Sequence, residues 1–367
     1  MSMTKAQTST TSSVTMTGDD ERVEGIFNYW SRPSPPAVEE VFSVFNGTSS
    51  SQKSVRCDVS DIRTHGLSSF HLASHGFQIL RHSSSLLPPQ TDRIPDFHDD
   101  QTTKDLYWPE VTSLIQSTLK ARSAIAITTT VRDVSEVVET NQNHGNPRAN
   151  KNQRFQPFTV VHGDYTPPGA RGHMRAMLPT FFEDNGMSGS NTPAERERFF
   201  SLRDQIIKAE DEAMAREGGV TDQWSWSGEN YAGPRWMMLS VWRPLETVHR
   251  DPLAVMDPKS LLLKPGQEGK PPYALFTRMY RDRPGFEKEY QSENLLPLAP
   301  ENGADHKWYY ISEQKPDEVY ALKLFDSEAQ KQDSNVAPWV AHSAFPLPGQ
   351  EGRDARKSVE IRVMVIF

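Results

Sequence analysis

A chain of 367 residues, 36% hydrophobic and 24% charged, can bury a sizeable core without cross-links, as one large domain or two ordinary ones. Its net charge of −8 argues against a nucleic-acid backbone as partner, and its single cysteine, Cys57, excludes a disulfide framework and a thiolate zinc cluster. No apolar run approaches a membrane span and the first residues lack the apolar core of a secretory signal, so a cytosolic location is expected.

Residues 1–20 are dominated by Ser and Thr and read as a disordered tail; residues 21–367 read as one domain. Phe27, Tyr29 and Trp30 could dock on the main body as an aromatic anchor. Strands are expected over 54–63 and 76–80, followed by a Ser/Pro-rich loop over 83–95. Leu106, Val111, Leu114, Ile115 and Leu119 recur at helical spacing and predict a helix over 103–121, with Pro109 in its first turns. A strand over 123–132 and a polar, Asn-rich loop over 141–156 come next. The run Phe158-Thr-Val-Val-His-Gly-Asp-Tyr-Thr166 then reads as an apolar strand ending in a loop marked by Pro167, Pro168 and Gly169.

Thr192-Pro-Ala-Glu195 matches a capping box with Pro at the first helical position. The helix it opens carries Phe199, Leu202, Ile206 and Met214 on its buried stripe and stops at Gly218-Gly219. Seven strands are expected after it, over 235–245, 252–257, 273–280, 307–312, 319–326, 336–345 and 358–367. Early helices followed by many strands indicate an α+β domain with a mainly-β core, a sandwich or barrel buttressed by helices.

His162 and Asp164 are two residues apart, so on an extended backbone both side chains point to one face. That pair supplies two of the three ligands of a 2-His-1-carboxylate metal site, and Gly163 between them permits close approach. Two other His-x-Asp sequences occur. His98-Asp99-Asp100 sits just ahead of a helix, where its carboxylates suit the helix N-terminus, and His249-Arg250-Asp251 resembles a kinase catalytic loop without the other kinase motifs. Both read as structural. His342 is the candidate second imidazole, although an isolated histidine is more often a hydrogen-bonded core residue. Fourteen residues further on, Arg356 and Ser358 share one face at the start of the last strand and form a socket fitted to a carboxylate. Ser358, Glu360 and Arg362 alternate with Val359, Ile361, Val363 and Val365 there, and Arg353 or Arg362 could compete with Arg356.

The order His-x-Asp, distal His, Arg-x-Ser resembles the Fe(II)/2-oxoglutarate-dependent dioxygenases. More narrowly, the chain is similar to the hydroxylase/desaturase group of microbial secondary metabolism, typified by AsaB-like proteins, gibberellin desaturases and cephem methoxylase components. The segments carrying the likeness are Val161-His-Gly-Asp-Tyr-Thr166, Trp242-Arg-Pro-Leu245, Asp251-Pro-Leu-Ala-Val-Met-Asp257 and His306-Lys-Trp-Tyr-Tyr310, with Glu318 to Asp326, Ala341-His-Ser-Ala-Phe345 and Arg356 to Arg362. The chain departs from that group at Thr128-Thr-Thr-Val-Arg132, where an Asp-His-Thr-like element is usual, and at Ser240, where Asn is common.

The resemblance implies a double-stranded β-helix, or jelly roll, with elements inserted between Asp164 and His342. It implies Fe(II) held by His162, Asp164 and His342, 2-oxoglutarate paired with Arg356 and Ser358, and O2 as oxidant. The expected reaction hydroxylates or desaturates an aliphatic C–H of a small, largely apolar metabolite. Tyr165, Arg171, Trp236, Trp242 and Phe345 are substrate-pocket candidates, and Arg175 stands beside Arg171 as a further cation. For the aromatic residues, core packing explains the sequence equally well. The alternatives are a jelly-roll metal-dependent hydrolase or isomerase, which would have no use for Arg356, and a binding module without metal.

Overall fold

β-Branched and aromatic residues alternating with polar ones draw most of the chain into strands. The computed structural model describes residues 22–36, 50–92, 95–133, 157–177, 193–218, 225–262, 271–280 and 290–367. Its strands are β1 (Arg22–Trp30), β2 (Gln52–Asp61), β3 (Phe77–Arg81), β4 (Ser123–Arg132), β5 (Trp236–Pro244) and β6 (Leu253–Met256). They continue with β7 (Tyr273–Tyr280), β8 (Tyr290–Pro297), β9 (Trp308–Tyr310), β10 (Glu318–Asp326), β11 (His342–Ala344) and β12 (Ser358–Ile366).

Two five-stranded sheets carry the fold, in the orders β1-β2-β9-β6-β11 and β3-β10-β5-β12-β4, with β7 and β8 forming a separate hairpin. The described ladders are antiparallel except β2 with β9. Helix α1 starts at Asp100–Thr102, widens into a π-turn over Thr103–Tyr107 and runs on as Trp108–Leu119. Helix α2 (Pro167–Gly172) leads into a second π-turn at His173–Met177, and α3 spans Pro193–Glu217.

The largest apolar cluster lies between the second sheet and the helices. Val111 and Ile115 of α1 and Phe199, Leu202 and Ile206 of α3 meet Ile361, Val363 and Val365 of β12 there. Burial of this kind is worth about 25 cal/mol per Å² of apolar surface, which is why the valine face of β12 turns outward to the helices. The opposite face of β12 carries Ser358, Glu360 and Arg362 and looks into the molecule. A second cluster, around Phe27, Val161, Trp308 and Phe345, fills the first sheet. The architecture is a mainly-β core with helices against the outer face of one sheet.

The strands expected over 54–63, 76–80, 123–132, 235–245, 252–257, 273–280, 307–312, 319–326 and 358–367 are present, some trimmed by a few residues. The aromatic anchor is a full strand, with Phe27, Tyr29 and Trp30 completely buried. Asp99 serves the start of α1 as expected, its carboxylate accepting from the Gln101 N–H. Gly218, at φ 62°, closes α3. Two expectations differ, and one strand was not expected. The 158–166 run is extended but forms no continuous ladder, because its hydrogen-bonding partners change along it, from Asn28 to His342 to Leu295. Over 336–345 only His342–Ala344 is a strand; the residues before it bond singly, Ala337 N–H to Ala73 and Val340 N–H to Lys323. Strand β8 has no sequence forecast, since Gln291, Ser292, Glu293 and Asn294 break any apolar alternation. The tail over 1–20, the loop over 141–156 and the Thr192 cap lie outside the described residues.

Candidate active site

The changing partners of the 158–163 run are what bring the metal-ligand candidates together. His162 and His342 exchange backbone hydrogen bonds, N to O at 3.2 Å and 3.0 Å, which sets the rings side by side with centroids 4.3 Å apart. On the other edge Gly163 exchanges bonds with Leu295 of β8 at 2.8 and 2.9 Å. Each imidazole Nδ1–H donates to the carbonyl two residues before it, His162 to Val160 at 2.8 Å and His342 to Val340 at 3.2 Å. Both rings therefore hold the tautomer whose Nε2 lone pair is free to bind a metal.

Those lone pairs face Asp164. His162 Nε2 lies 3.8 Å from Oδ1 and His342 Nε2 lies 3.9 Å from Oδ2. The three donor atoms fall within 4.8 Å of one another, the one such His/Cys/Asp/Glu group among the described residues. Burial, followed by the neighbouring His342, pushes the His162 pKa down to about 3, so the ring is neutral at physiological pH. Burial works to raise the Asp164 pKa, but Arg362 and the two histidines hold it below the ordinary carboxylate value. A neutral His162 and an ionised Asp164 are the protonation states that binding of a divalent cation requires of them.

A cavity of about 60 Å³ opens beside these ligands, between the two sheets. Phe158, Leu253 and Leu322 make its apolar wall, and Thr130, Arg132, Glu360 and Arg362 its polar one. Arg356 enters from the start of β12, 97% buried, its guanidinium stacked over the Trp242 ring at 5.0 Å. Nη1 donates to the Asp251 carbonyl at 2.8 Å. Burial, then the nearby Arg132, lowers the Arg356 pKa to about 9.

Three buried polar atoms here make no hydrogen bond among the described residues: Asp164 Oδ2, Arg356 Nε and Ser358 Oγ. Leaving such groups unpaired costs about 1–3 kcal/mol each, more for charged ones. An unpaired acceptor 3.9 Å from His342 Nε2, on a carboxylate beside both imidazoles, fits a divalent metal, and two donors on one strand face fit an anionic ligand. Residues and groups agree.

The chain matches the sequence profile of the oxidoreductase/YMDC permease-like domain over residues 27–189 and 216–366. It belongs to that family. Among curated relatives of the family member, the gibberellin cluster GA4 desaturase of Gibberella fujikuroi is 29% identical over 334 residues, 84% of this chain and 86% of the relative. The α-ketoglutarate-dependent dioxygenase phiK of a fungal species is 27% identical, covering 86% of this chain and 84% of its own length. The hydroxylase/desaturase asaB of Aspergillus flavus is 31% identical over 46% of this chain and 71% of its own. The fold is that of the iron and α-ketoglutarate-dependent endoperoxidase NvfI, at a TM-score of 0.57 and 20% identity, covering 94% of this chain and 98% of that one. The chain is thus similar to α-ketoglutarate-dependent dioxygenases and hydroxylase/desaturases, and it carries a His-Asp-His group of its own. No helix among the described residues is long and apolar enough to cross a membrane.

Within this oxidoreductase, His162, Asp164, His342, Arg356 and Trp242 converge on one cavity, and Ser358 lies on the same strand face as Arg356 without lining it. The other pocket candidates are elsewhere. Arg171 is buried against Trp226, stacking at 4.5 Å and donating to the Trp226 carbonyl at 2.8 Å, and Arg175 pairs with Glu210 and Asp211. Trp236 packs on Phe325, and Phe345 between Phe27 and Tyr310. Tyr165 is a core residue whose hydroxyl lies 3.0 Å from His173 Nδ1. Tyr165, Arg171 and Phe345 sit near the ligands in sequence and Trp236 does not, but all four side chains are buried in the cores away from the cavity. Phe158, its ring 4.6 Å from that of His162, and the polar residues Thr130, Arg132 and Glu360 line the cavity without having been singled out as site residues. The alternation that places Glu360 and Arg362 on the Arg356 face was the available signal.

Proposed function

We propose that this enzyme oxidises an aliphatic C–H of a small metabolite, with His162, Asp164 and His342 holding Fe(II) and Arg356 and Ser358 holding 2-oxoglutarate. The two central sheets form the double-stranded β-helix in this reading, with the site between them. The observation that carries it is the pairing of two separate deficits on one cavity: Asp164 Oδ2 lacks a donor and Arg356 Nε lacks an acceptor, with Ser358 Oγ on the Arg356 face unpaired as well. A hydrolytic or isomerising metal site would explain the first and leave the buried Arg356 without a use.

Bound Fe(II) would supply oxidative chemistry, coupling decarboxylation of 2-oxoglutarate to oxidation of the substrate. The rest is the work of the chain's own groups. The Val160 and Val340 carbonyls orient the two imidazoles. Trp242 and the Asp251 carbonyl fix the Arg356 guanidinium so that its fork meets a carboxylate already aligned. Three guanidiniums, of Arg132, Arg356 and Arg362, face two carboxylates, of Asp164 and Glu360. A dication and a dianionic co-substrate entering together leave that balance unchanged. The substrate would meet Phe158, Leu253 and Leu322 on an apolar flank and Thr130, Arg132 and Glu360 on a polar one, so it combines a hydrocarbon part with hydrogen-bonding groups.

The test is turnover of 2-oxoglutarate by purified protein supplied with Fe(II) and O2, followed as succinate. The reading expects succinate from wild type and none from His342→Ala. Succinate formation that survives in His342→Ala at the wild-type rate would overturn it.

A further inference from the structure

We infer that Arg362 is a positioning residue that holds Asp164 in one orientation by bonding Oδ1, so that the other oxygen, Oδ2, 3.9 Å from His342 Nε2, is the one presented to the metal. The inference rests on the dioxygenase site proposed above and adds a residue to it.

The two oxygens of Asp164 are in different states. Oδ1 accepts a hydrogen bond from Arg362 Nη2 at 2.8 Å, whereas Oδ2 is buried with no hydrogen bond among the described residues. A free carboxylate can turn about its last torsion and offer a cation either oxygen or both, since that torsion is broad. A guanidinium bonded to Oδ1 removes that freedom and occupies one of the oxygens through which two-oxygen binding would occur.

Arg362 is in turn fixed from several sides. Nη1 donates to the Tyr165 hydroxyl at 3.4 Å, the guanidinium lies 5.4 Å from the Tyr165 ring centre, and Nε is 3.8 Å from Glu360 Oε1. Tyr165 is the residue after Asp164, so Arg362 grips both the ligand and its neighbour. From the other edge, Asn294 of β8 donates to the Asp164 carbonyl at 2.6 Å.

The strand that delivers Arg362 is shaped for the purpose. Against β12, Arg362 faces Thr128 while Val363 faces Ala126, so β4 carries one extra residue, Ile127, directly beside Arg362. A bulge of this kind bends a ladder locally and re-aims the neighbouring side chains. Six residues after Arg356 on the same face, Arg362 thus reaches the metal ligand while Arg356 reaches the co-substrate socket. One strand serves both groups with two arginines of different roles.

Co(II) binding tests this without turnover, by titration calorimetry and by the visible spectrum of the bound ion, in wild type, Arg362→Met and Arg362→Lys. The expected result is Co(II) affinity weakened roughly 10–100-fold in Arg362→Met, the usual cost of losing an outer partner of a metal ligand. The Co(II) spectrum should change with it, and 2-oxoglutarate affinity at saturating Co(II) should stay within a few-fold. Arg362→Lys, which keeps the charge and loses the planar fork, is expected to fall between the two, and it decides the matter if Arg362→Met does not fold. Wild-type Co(II) affinity and spectrum in a folded Arg362→Met, or in Arg362→Lys, would overturn the proposal and leave the dioxygenase reading standing. So would an intact Co(II) affinity with lost 2-oxoglutarate binding, which would make Arg362 a co-substrate residue. No Co(II) binding by wild type would instead overturn the metal site itself.

Discussion

Between His162 and Asp164 there is no space for a side chain. A Cβ on Gly163 would lie 2.7 and 2.8 Å from carbons of the Trp339 ring, well inside contact distance. Gly163→Ala is therefore expected to push Trp339 or the ligand segment aside, at about 1–3 kcal/mol for overpacking. A lowered melting temperature together with weakened Co(II) affinity would be the outcome; unchanged values of both would show that Trp339 yields freely. Arg356 is the proposed anchor of the co-substrate. Arg356→Met should weaken 2-oxoglutarate binding roughly 10–100-fold, the scale of a charge-assisted hydrogen bond, with Co(II) affinity unaltered. Calorimetric titration of each ligand separately reads that split. At this scale the sequence was informative about the donors and poor about their surroundings. His162, Asp164, His342 and Arg356 announce themselves by residue type and order. Arg171, Trp236 and Phe345 are indistinguishable from pocket residues until the backbone shows them turning into the cores.

Strand β12 does two jobs with its two faces. Ile361 and Val363 are fully buried against the helices, while Arg356, just before the strand, and Arg362 line the cavity. Ile361→Ala should cost about 2–5 kcal/mol of stability, as other large-to-small core changes do. Where the variant remains folded, its Co(II) and 2-oxoglutarate affinities should match wild type. Chemical denaturation beside ligand titration checks this, and a loss of affinity at full folding would mean that the two faces are not independent. Regular alternation made β12 legible from residue pattern alone, and β5 reads as a near-continuous apolar run. The 158–166 run was legible as extended chain but not as to its partners, because strand pairing is set by distant segments: Asn28, Leu295 and His342. Strand β8 was missed for the same reason. Its polar residues give no periodicity, and its place comes from pairing with β7 and with Gly163. The His249-Arg250-Asp251 turn, read from the sequence as structural, places Asp251 at φ 54°, where its carbonyl accepts from Arg356.

Across the whole molecule, burial of histidines links stability to pH. His162, His75 and His82 are each held below the ordinary imidazole pKa, chiefly by burial. Folding thus favours their neutral forms, and the unfolded chain binds more protons once the pH falls below about 6.5. The stabilisation is complete above that pH and is lost as the pH drops towards about 3, the His162 value. Metal-free protein should therefore melt at progressively lower temperature through this window, and a flat profile between pH 7 and 4 would contradict the burial of His162. The order of the site segments along the chain was readable from the start, and so was the mainly-β core. The closeness of the two imidazoles was not, since it depends on the backbone exchange between two short extended segments 180 residues apart in sequence.

The central claim is that one cavity holds Fe(II) and 2-oxoglutarate together. Its most direct test is an anaerobic titration of the protein with Fe(II) and then 2-oxoglutarate, watched for the visible metal-to-ligand charge-transfer band of the chelate. A band in wild type that disappears in His342→Ala and needs far more 2-oxoglutarate in Arg356→Met is the predicted result. Metal bound in stoichiometric amount with no band at any 2-oxoglutarate concentration would contradict it.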